Sequence, residues 1–124
     1  MKECPFCNYK NLDMIIKNNL CYAIFDKNPV TPGHVLIIPY RHFSNFFEAT
    51  DDEKRGILLL LDDVKKIIDK DFNPDGYNIG INIGKYAGQT IFHLHVHLIP
   101  RYKGDIEDPT GGVRGVIPSK RIYK

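Results

Sequence analysis

The sequence contains no tryptophan, only two methionines and only three cysteines among its 124 residues. A small, odd number of cysteines argues against a disulfide framework of the kind that holds small secreted domains together. No apolar run approaches the roughly 18 residues that a membrane-spanning helix needs, and the first residues lack the apolar stretch of a signal peptide. The formal net charge is only +2, which gives no strong attraction to nucleic acid or anionic membranes. We therefore expect one globular, cytoplasmic domain with no nucleic-acid or membrane partner.

The pattern of apolar residues predicts several strands and one long helix. Thr50 and Glu53 have the spacing of a capping box, which marks the start of a helix. Apolar residues then recur at three- and four-residue spacing, as on one face of a helix: Ile57, Leu60, Leu61, Val64, Ile67 and Ile68. Strands are predicted over residues 20–25, 34–38, 77–83 and 91–99. Strands around one long helix indicate an α+β fold with a mainly antiparallel sheet.

Three of the five histidines, His93, His95 and His97, lie within seven residues and alternate with aliphatic residues. On a strand this alternation places the histidines on one face and the aliphatic side chains in a core. Three such imidazoles suit a metal site, an anion site, or a nucleophile with neighbours that orient it. Residues 88–90 supply neutral amide and hydroxyl groups just before them. These groups favour a phosphate ligand over a carboxylate-rich metal site.

A second pattern of metal-binding type lies at the N-terminus. Cys4 and Cys7 form a C-x-x-C pair, which is half of a zinc site. The obvious spare histidine to help complete such a site is His42. The alternative is a pair of reduced cysteines in a mobile N-terminus. Cys21 stands in an apolar strand and is expected in the core.

The combined motifs resemble those of the histidine triad family. The family motif of three histidines alternating with apolar residues matches residues 93–99 without a mismatch, and residues 32–39 resemble a second conserved block. Asn82 and residues 87–90 match the approach to the triad, and the similarity extends over about residues 4–101. The resemblance implies a histidine-triad-like fold with about five strands, one long helix and a shorter helical segment. We expect residues 1–107 to form this domain and residues 108–124 to form an extended arm of the same unit.

The resemblance also implies an activity. Members of the family bind a purine nucleotide and cleave the bond between its α-phosphate and a leaving group, through a nucleotidyl-histidine intermediate. By position, His95 would be the nucleophile, and His97 and His93 would flank it, bind phosphate oxygens and orient it. His34 would support them from behind. The substrate-binding positions would be Asp26, at the ribose, and Asn82, Gln89 and Thr90, at the phosphates or the leaving group.

Some bacterial members carry the cysteine pair and bind a structural zinc ion. By that resemblance the ligands would be Cys4, Cys7, His42 and His93, and the reaction itself would need no cofactor. The family also suggests a homodimer. The substrate would be a dinucleoside polyphosphate or a nucleoside phosphoramidate, which the sequence does not separate.

Two other functions are compatible with the same residues. One is a zinc-dependent hydrolase that uses the three histidines of residues 93–97 as metal ligands. The other is a nucleotide-binding or scaffolding protein without turnover, against which the intact histidine motif argues.

Overall fold

A computed structural model describes residues 4–123 as one five-stranded antiparallel sheet with a long helix against one face. The sheet has the order β1-β2-β3-β5-β4. The strands are β1 (Ile16–Lys17), β2 (Cys21–Phe25), β3 (Val35–Pro39), β4 (Gly76–Gly80) and β5 (Val96–Arg101), and the helix is α1 (Asp51–Phe72). Five short 3-10 helices occupy Tyr9–Asn11, Phe46–Glu48, Lys85–Ala87, Gly112–Val116 and Pro118–Lys120. The predicted α+β fold with an antiparallel sheet is confirmed.

Helix α1 begins where the capping box predicted. Thr50 Oγ1 accepts a hydrogen bond from the backbone N–H of Glu53 at 3.0 Å, and Glu53 Oε1 accepts from the backbone N–H of Thr50 at 2.9 Å. The helix ends at Asn73, whose left-handed conformation (φ 50°) stops further helical hydrogen bonding. Both ends are therefore set by local sequence.

The core lies between α1 and the facing side of the sheet. Ile57, Leu60, Val64 and Ile68 of the helix are buried there, and Leu61 packs partly against them. The sheet contributes the alternate side chains of its inner face, among them Cys21, Ala23, Val35, Ile37, Val96 and Leu98. The expected burial of Cys21 is confirmed, and the inner face of β5 shares this core with side chains of the helix.

The last strand begins later than predicted. It starts at Val96 rather than at residue 91, and it continues through Pro100 to Arg101. Its pairing with β3 reaches only from Val35 to Ile37. Beyond that point the carbonyl oxygen of Pro39 accepts from the ring of His93 at 2.7 Å instead of from a backbone N–H. A side-chain hydrogen bond therefore takes the place of the backbone hydrogen bonds between β3 and β5. Residues 91–95 lie outside the regular strand. Strand β4 is also shorter than predicted, and the two-residue β1 was not predicted.

The C-terminal arm is folded rather than extended. Residues 112–120 form two of the 3-10 helices, and Arg121 donates to the carbonyl oxygens of Asp108 and Thr110. Gly111 (φ 89°) allows this closure, because a Cβ there would lie 1.8 Å from the carbonyl oxygen of Arg121. The arm contacts strand β4 at the sheet edge. Within residues 4–123, α1 and the shorter helices fall short of the length and apolar character needed to cross a membrane.

Candidate active site

A cleft of about 620 Å³ opens on the side of the sheet opposite α1. Its size is typical of pockets for small molecules. Four side chains predicted from the sequence line it with His95, namely His97, Asp26, Asn82 and Thr90. Apolar groups complete the wall: Pro5, Phe6, Leu12, Ile24, Phe25, Leu36 and Ile91. The cleft thus combines an apolar wall with a few polar groups.

The ring of His95 is oriented by the backbone. Its Nδ1 lies 2.8 Å from the carbonyl oxygen of His93. A carbonyl oxygen only accepts hydrogen bonds, so Nδ1 must carry the proton and donate it. In the neutral ring, Nε2 then holds an available lone pair. The contact therefore prepares Nε2 of His95 for nucleophilic attack.

A chain of hydrogen bonds sets the tautomer of His97. The backbone N–H of Val30 donates to His34 Nδ1 at 3.0 Å, so the proton of neutral His34 is on Nε2. That nitrogen lies 3.0 Å from Nδ1 of His97 and donates to it. Nε2 of neutral His97 therefore carries a proton. His34 is buried and contacts the triad through its hydrogen bond to His97.

Burial keeps these two rings neutral. Burial is the largest of the causes that lower the pKa of His97 from 6.5 to about 4, and the neighbouring rings of His95 and His34 contribute to the same shift. Burial also lowers the pKa of His34, although the carboxylate of Asp26 opposes that shift. A carboxylate oxygen of Asp26 lies 3.6 Å from His34 Nε2. Both rings are thus uncharged at neutral pH, as the hydrogen-bond chain requires.

The ring of His93 does not line the cleft. It is fully buried, its Nε2 donates to the Pro39 carbonyl oxygen, and its Nδ1 points toward Cys4, Cys7 and His42. Only the carbonyl group of His93 reaches His95. The expected binding of phosphate by this ring therefore has no support in its position. The three triad rings also do not meet at one point, which argues against a zinc hydrolase that uses all three as ligands.

The four predicted metal ligands are brought together. Cys4 Sγ lies 3.4 Å from His93 Nδ1, Cys7 Sγ lies 3.2 Å from His42 Nδ1, and the two Nδ1 atoms are 3.1 Å apart. All four donor atoms lie within 4.8 Å of one another. Because His93 Nε2 donates to Pro39, its Nδ1 is the nitrogen with a free lone pair. Two sulfur and two imidazole donors fit a metal ion such as zinc.

Gln89 has a different position from the one expected. Its side chain is buried, and its amide donates to the carbonyl oxygens of Ser44 and Ile91 at 3.0 and 3.2 Å. Its Oε1 accepts from the backbone N–H of Gly84 at 2.9 Å. These bonds fasten the loop of residues 84–91, which carries Thr90 to the cleft. Gln89 thus stabilises the loop, and its amide group is already fully engaged.

Sequence reasoning missed the contribution of Pro5 and Phe6. Phe6 is buried and packs edge-on against His95, with ring centroids 5.2 Å apart. The signal was present, since these two residues stand between Cys4 and Cys7. Folding the cysteine pair onto His93 necessarily brings them beside the triad.

The comparisons with known proteins agree with this geometry. A family model described as the HIT domain matches residues 9–104. An uncharacterized HIT-like protein of Methanocaldococcus jannaschii is 38% identical over 110 residues, which are 84% of this chain and 83% of that protein. A bis(5'-adenosyl)-triphosphatase of Dictyostelium discoideum is 35% identical over 96 residues, which are 77% of this chain and 64% of that enzyme.

A solved structure also shares the fold. It is a Zn-bound histidine triad family protein from Mycobacterium smegmatis, with a TM-score of 0.76 and 31% identity. The alignment covers 86% of this chain and 80% of that one. With the triad in place and a family model that matches most of its length, the chain belongs to the histidine triad (HIT domain) family.

Proposed function

We propose that this protein is a nucleotidyl hydrolase or transferase that cleaves the α-phosphate bond of a purine nucleotide derivative. The observation that carries the proposal is the hydrogen bond from Nδ1 of His95 to the carbonyl oxygen of His93, at 2.8 Å. In the neutral ring this bond leaves Nε2 of His95 with a free lone pair, and the residue lines a cleft large enough for a nucleotide. This arrangement favours covalent catalysis over binding alone.

The reaction has two displacement steps. Nε2 of His95 attacks the α-phosphorus, an N–P bond forms, and the bond from phosphorus to the leaving group breaks with its electron pair. Water, or another acceptor in a transferase, then attacks the same phosphorus and loses a proton to solvent. The N–P bond breaks with its electron pair returning to Nε2, which regenerates the neutral ring. Dividing one displacement into two steps lowers each barrier. The chemistry needs no cofactor.

Other residues of the cleft bind and position the nucleotide. Nε2–H of His97 donates to a phosphoryl oxygen or to the leaving group, because the chain from Val30 through His34 has already fixed its tautomer. Asn82 and Thr90 supply neutral donors on the same wall. Such donors stabilise charge as it spreads over the phosphoryl oxygens. Asp26 also lines the cleft, and in this proposal its carboxylate accepts hydrogen bonds from the ribose hydroxyls.

The metal cluster has a structural role in this proposal. Cys4, Cys7, His42 and His93 would hold zinc, and the bound ion would link separate segments of the chain. The cluster lies behind the cleft, so its ligands do not contact the reacting phosphate. A zinc-bound relative with the same fold supports the choice of metal.

A related enzyme supports the choice of substrate class. A bis(5'-adenosyl)-triphosphatase is 35% identical to this chain, so a dinucleoside polyphosphate is the first substrate to test, with an adenosine phosphoramidate beside it.

We also propose a homodimer, because β4 is an edge strand on which Ile79 is exposed. Light scattering should then show a dimer for the wild type and a monomer for Ile79→Lys.

The central test combines turnover with a trap for the intermediate. Release of AMP from diadenosine polyphosphates and from adenosine phosphoramidate should fall about a thousandfold or more in His95→Asn. Rapid quenching of the wild type should yield a peptide carrying one adenylyl group on His95. The control variant is Lys10→Ala, because Lys10 is exposed and far from the triad in sequence. Gln89→Glu would not serve as a control, because it disturbs the loop of residues 84–91.

The outcomes separate the remaining functions. Turnover that survives in His95→Asn would refute the covalent mechanism. If the wild type binds AMP but turns over neither substrate, a nucleotide-binding or scaffolding role would replace the enzymatic one. The ratio of the two rates in an active wild type would identify the preferred leaving group.

A further inference from the structure

The turn formed by residues 4–7 serves two parts of the protein at once. Cys4 and Cys7 face His42 and His93, whereas the two residues between the cysteines line the nucleotide cleft. The turn is tight, since the backbone N–H of Cys7 donates to the carbonyl oxygen of Cys4 at 3.2 Å. A displacement of either cysteine therefore also displaces the wall of the cleft.

Phe6 connects this turn to the nucleophile. Its ring is only 6% exposed and packs edge-on against the rings of His95 and His93, at centroid distances of 5.2 and 5.9 Å. Its carbonyl oxygen accepts from the hydroxyl of Tyr22 at 2.5 Å. Phe6 thus supports one side of the His95 ring while it forms part of the apolar wall.

His93 provides a second connection. Its ring belongs to the metal cluster, and its carbonyl oxygen accepts from Nδ1 of His95. The position of this one residue therefore affects both the cluster and the orientation of the nucleophile. The two connections are independent, since one acts through a side-chain contact and the other through a backbone hydrogen bond.

The cluster draws its donors from three distant segments. Cys4 and Cys7 lie in the N-terminal turn, His42 follows β3, and His93 precedes β5. An ion that binds all four links these segments and stabilises their arrangement. Without it, the turn is held mainly by the packing of Phe6 and by the hydrogen bond from Tyr22.

We propose that metal binding at Cys4, Cys7, His42 and His93 controls the nucleotide cleft, by fixing the Pro5–Phe6 wall and the carbonyl group that orients His95. The ligand in this inference, a purine nucleotide, rests on the proposed function. The metal-loaded protein binds AMP more tightly than the metal-free protein, and it holds His95 in the tautomer with a proton on Nδ1. Linkage makes the effect reciprocal, so AMP also tightens metal binding by the same factor.

The experiment measures AMP affinity by calorimetry and the His95 tautomer by ¹⁵N NMR. The wild type is compared under reducing conditions as the Zn²⁺-loaded protein, verified by metal content, and after removal of the ion by a chelator. We expect metal removal to weaken AMP binding about tenfold and to broaden or shift the His95 Nδ1–H signal. Cys7→Ser, which removes one ligand outside the cleft, should reproduce both changes.

Phe6→Leu is the matched variant, because it keeps all four ligands and removes the aromatic ring that lines the cleft and packs against His95 and His93. It should bind Zn²⁺ as the wild type does, yet the dependence of its AMP affinity on the ion should be several-fold smaller. Such a reduction would show that the effect of the metal passes through Phe6.

Three results would overturn the proposal. The first is a folded, metal-free wild type with unchanged AMP affinity and an unchanged His95 signal. The second is global loss of the circular dichroism signal when the ion is removed, since the ion would then stabilise the whole fold and not this wall. The third is an equal metal effect in Phe6→Leu and wild type together with an unchanged His95 signal. If the Zn²⁺-loaded protein binds no AMP, the proposed function fails, and the NMR comparison still decides whether the ion orients His95.

Discussion

The low pKa of His97 predicts a specific loss of stability in acid. Burial is the main cause that lowers this pKa from 6.5 to about 4 in the folded protein, with contributions from His95 and His34. The unfolded chain therefore binds more protons than the folded one at pH values between these two pKa values. Stability from this group is fully present above pH 6.5 and is lost as pH falls toward 4. The total loss is about 3 kcal/mol, of which about 2 kcal/mol is reached at pH 5.

His97→Asn isolates this effect. The side-chain oxygen of asparagine can take the place of Nδ1 as acceptor for His34 Nε2–H, but asparagine does not titrate. The metal cluster remains in both proteins, so its own pH dependence cancels in the comparison. His34 loses a neighbouring ring in the variant, so its titration is followed by NMR in both proteins. The measurement is the free energy of unfolding in urea at about pH 7.5 and about pH 5 for each protein. The wild type should lose about 2 kcal/mol more than the variant between these two pH values.

A difference near zero would refute the reasoning, because His97 would then titrate alike in the folded and unfolded states. A larger loss in the variant would also refute it, since the sign of the linkage would be reversed. Direct titration of His97 by NMR in the folded wild type measures its pKa. The measurement shows whether a missing stability difference comes from an ordinary His97 pKa or from a second stability change caused by the asparagine. The signal of a neutral ring should persist well below pH 6.5.

Three further predictions concern the scaffold. Glu53→Ala should lower the free energy of unfolding by about 1–3 kcal/mol, because it removes one side of the capping box and the two hydrogen bonds that Arg41 donates to the Glu53 carboxylate; an unchanged urea midpoint would contradict it. Leu60→Ala should cost about 2–5 kcal/mol, because Leu60 is fully buried in the core; a cost well below that range would mean that the helix packs loosely. Gly111→Ala should release the C-terminal arm, since its Cβ would clash with the carbonyl group of Arg121; faster proteolysis within residues 108–123, with an unchanged melting temperature for the rest, is the expected result.

Much of the scaffold was predictable because its signals are local. The capping box and the apolar periodicity depend on contacts within a few residues, so they located the start of α1 after Thr50 and its buried face. The alternation around the triad likewise predicted that Leu94, Val96 and Leu98 enter the core. The boundaries of β5 were harder to predict, because a strand needs a partner and its pairing with β3 ends at Ile37.

The sequence by itself determined the candidate residues of the site, because the triad, the cysteine pair and the spare histidine His42 are recognisable as residue types at fixed spacing. Only the tertiary structure decided which way each ring points. His93 and His95 stand two residues apart, yet one ring joins cysteines that lie 89 and 86 positions away and the other faces the cleft. Ring orientation depends on hydrogen-bond acceptors such as the Pro39 carbonyl group, 54 positions from His93. Such partners meet only when the sheet forms, so spacing along the chain does not reveal them.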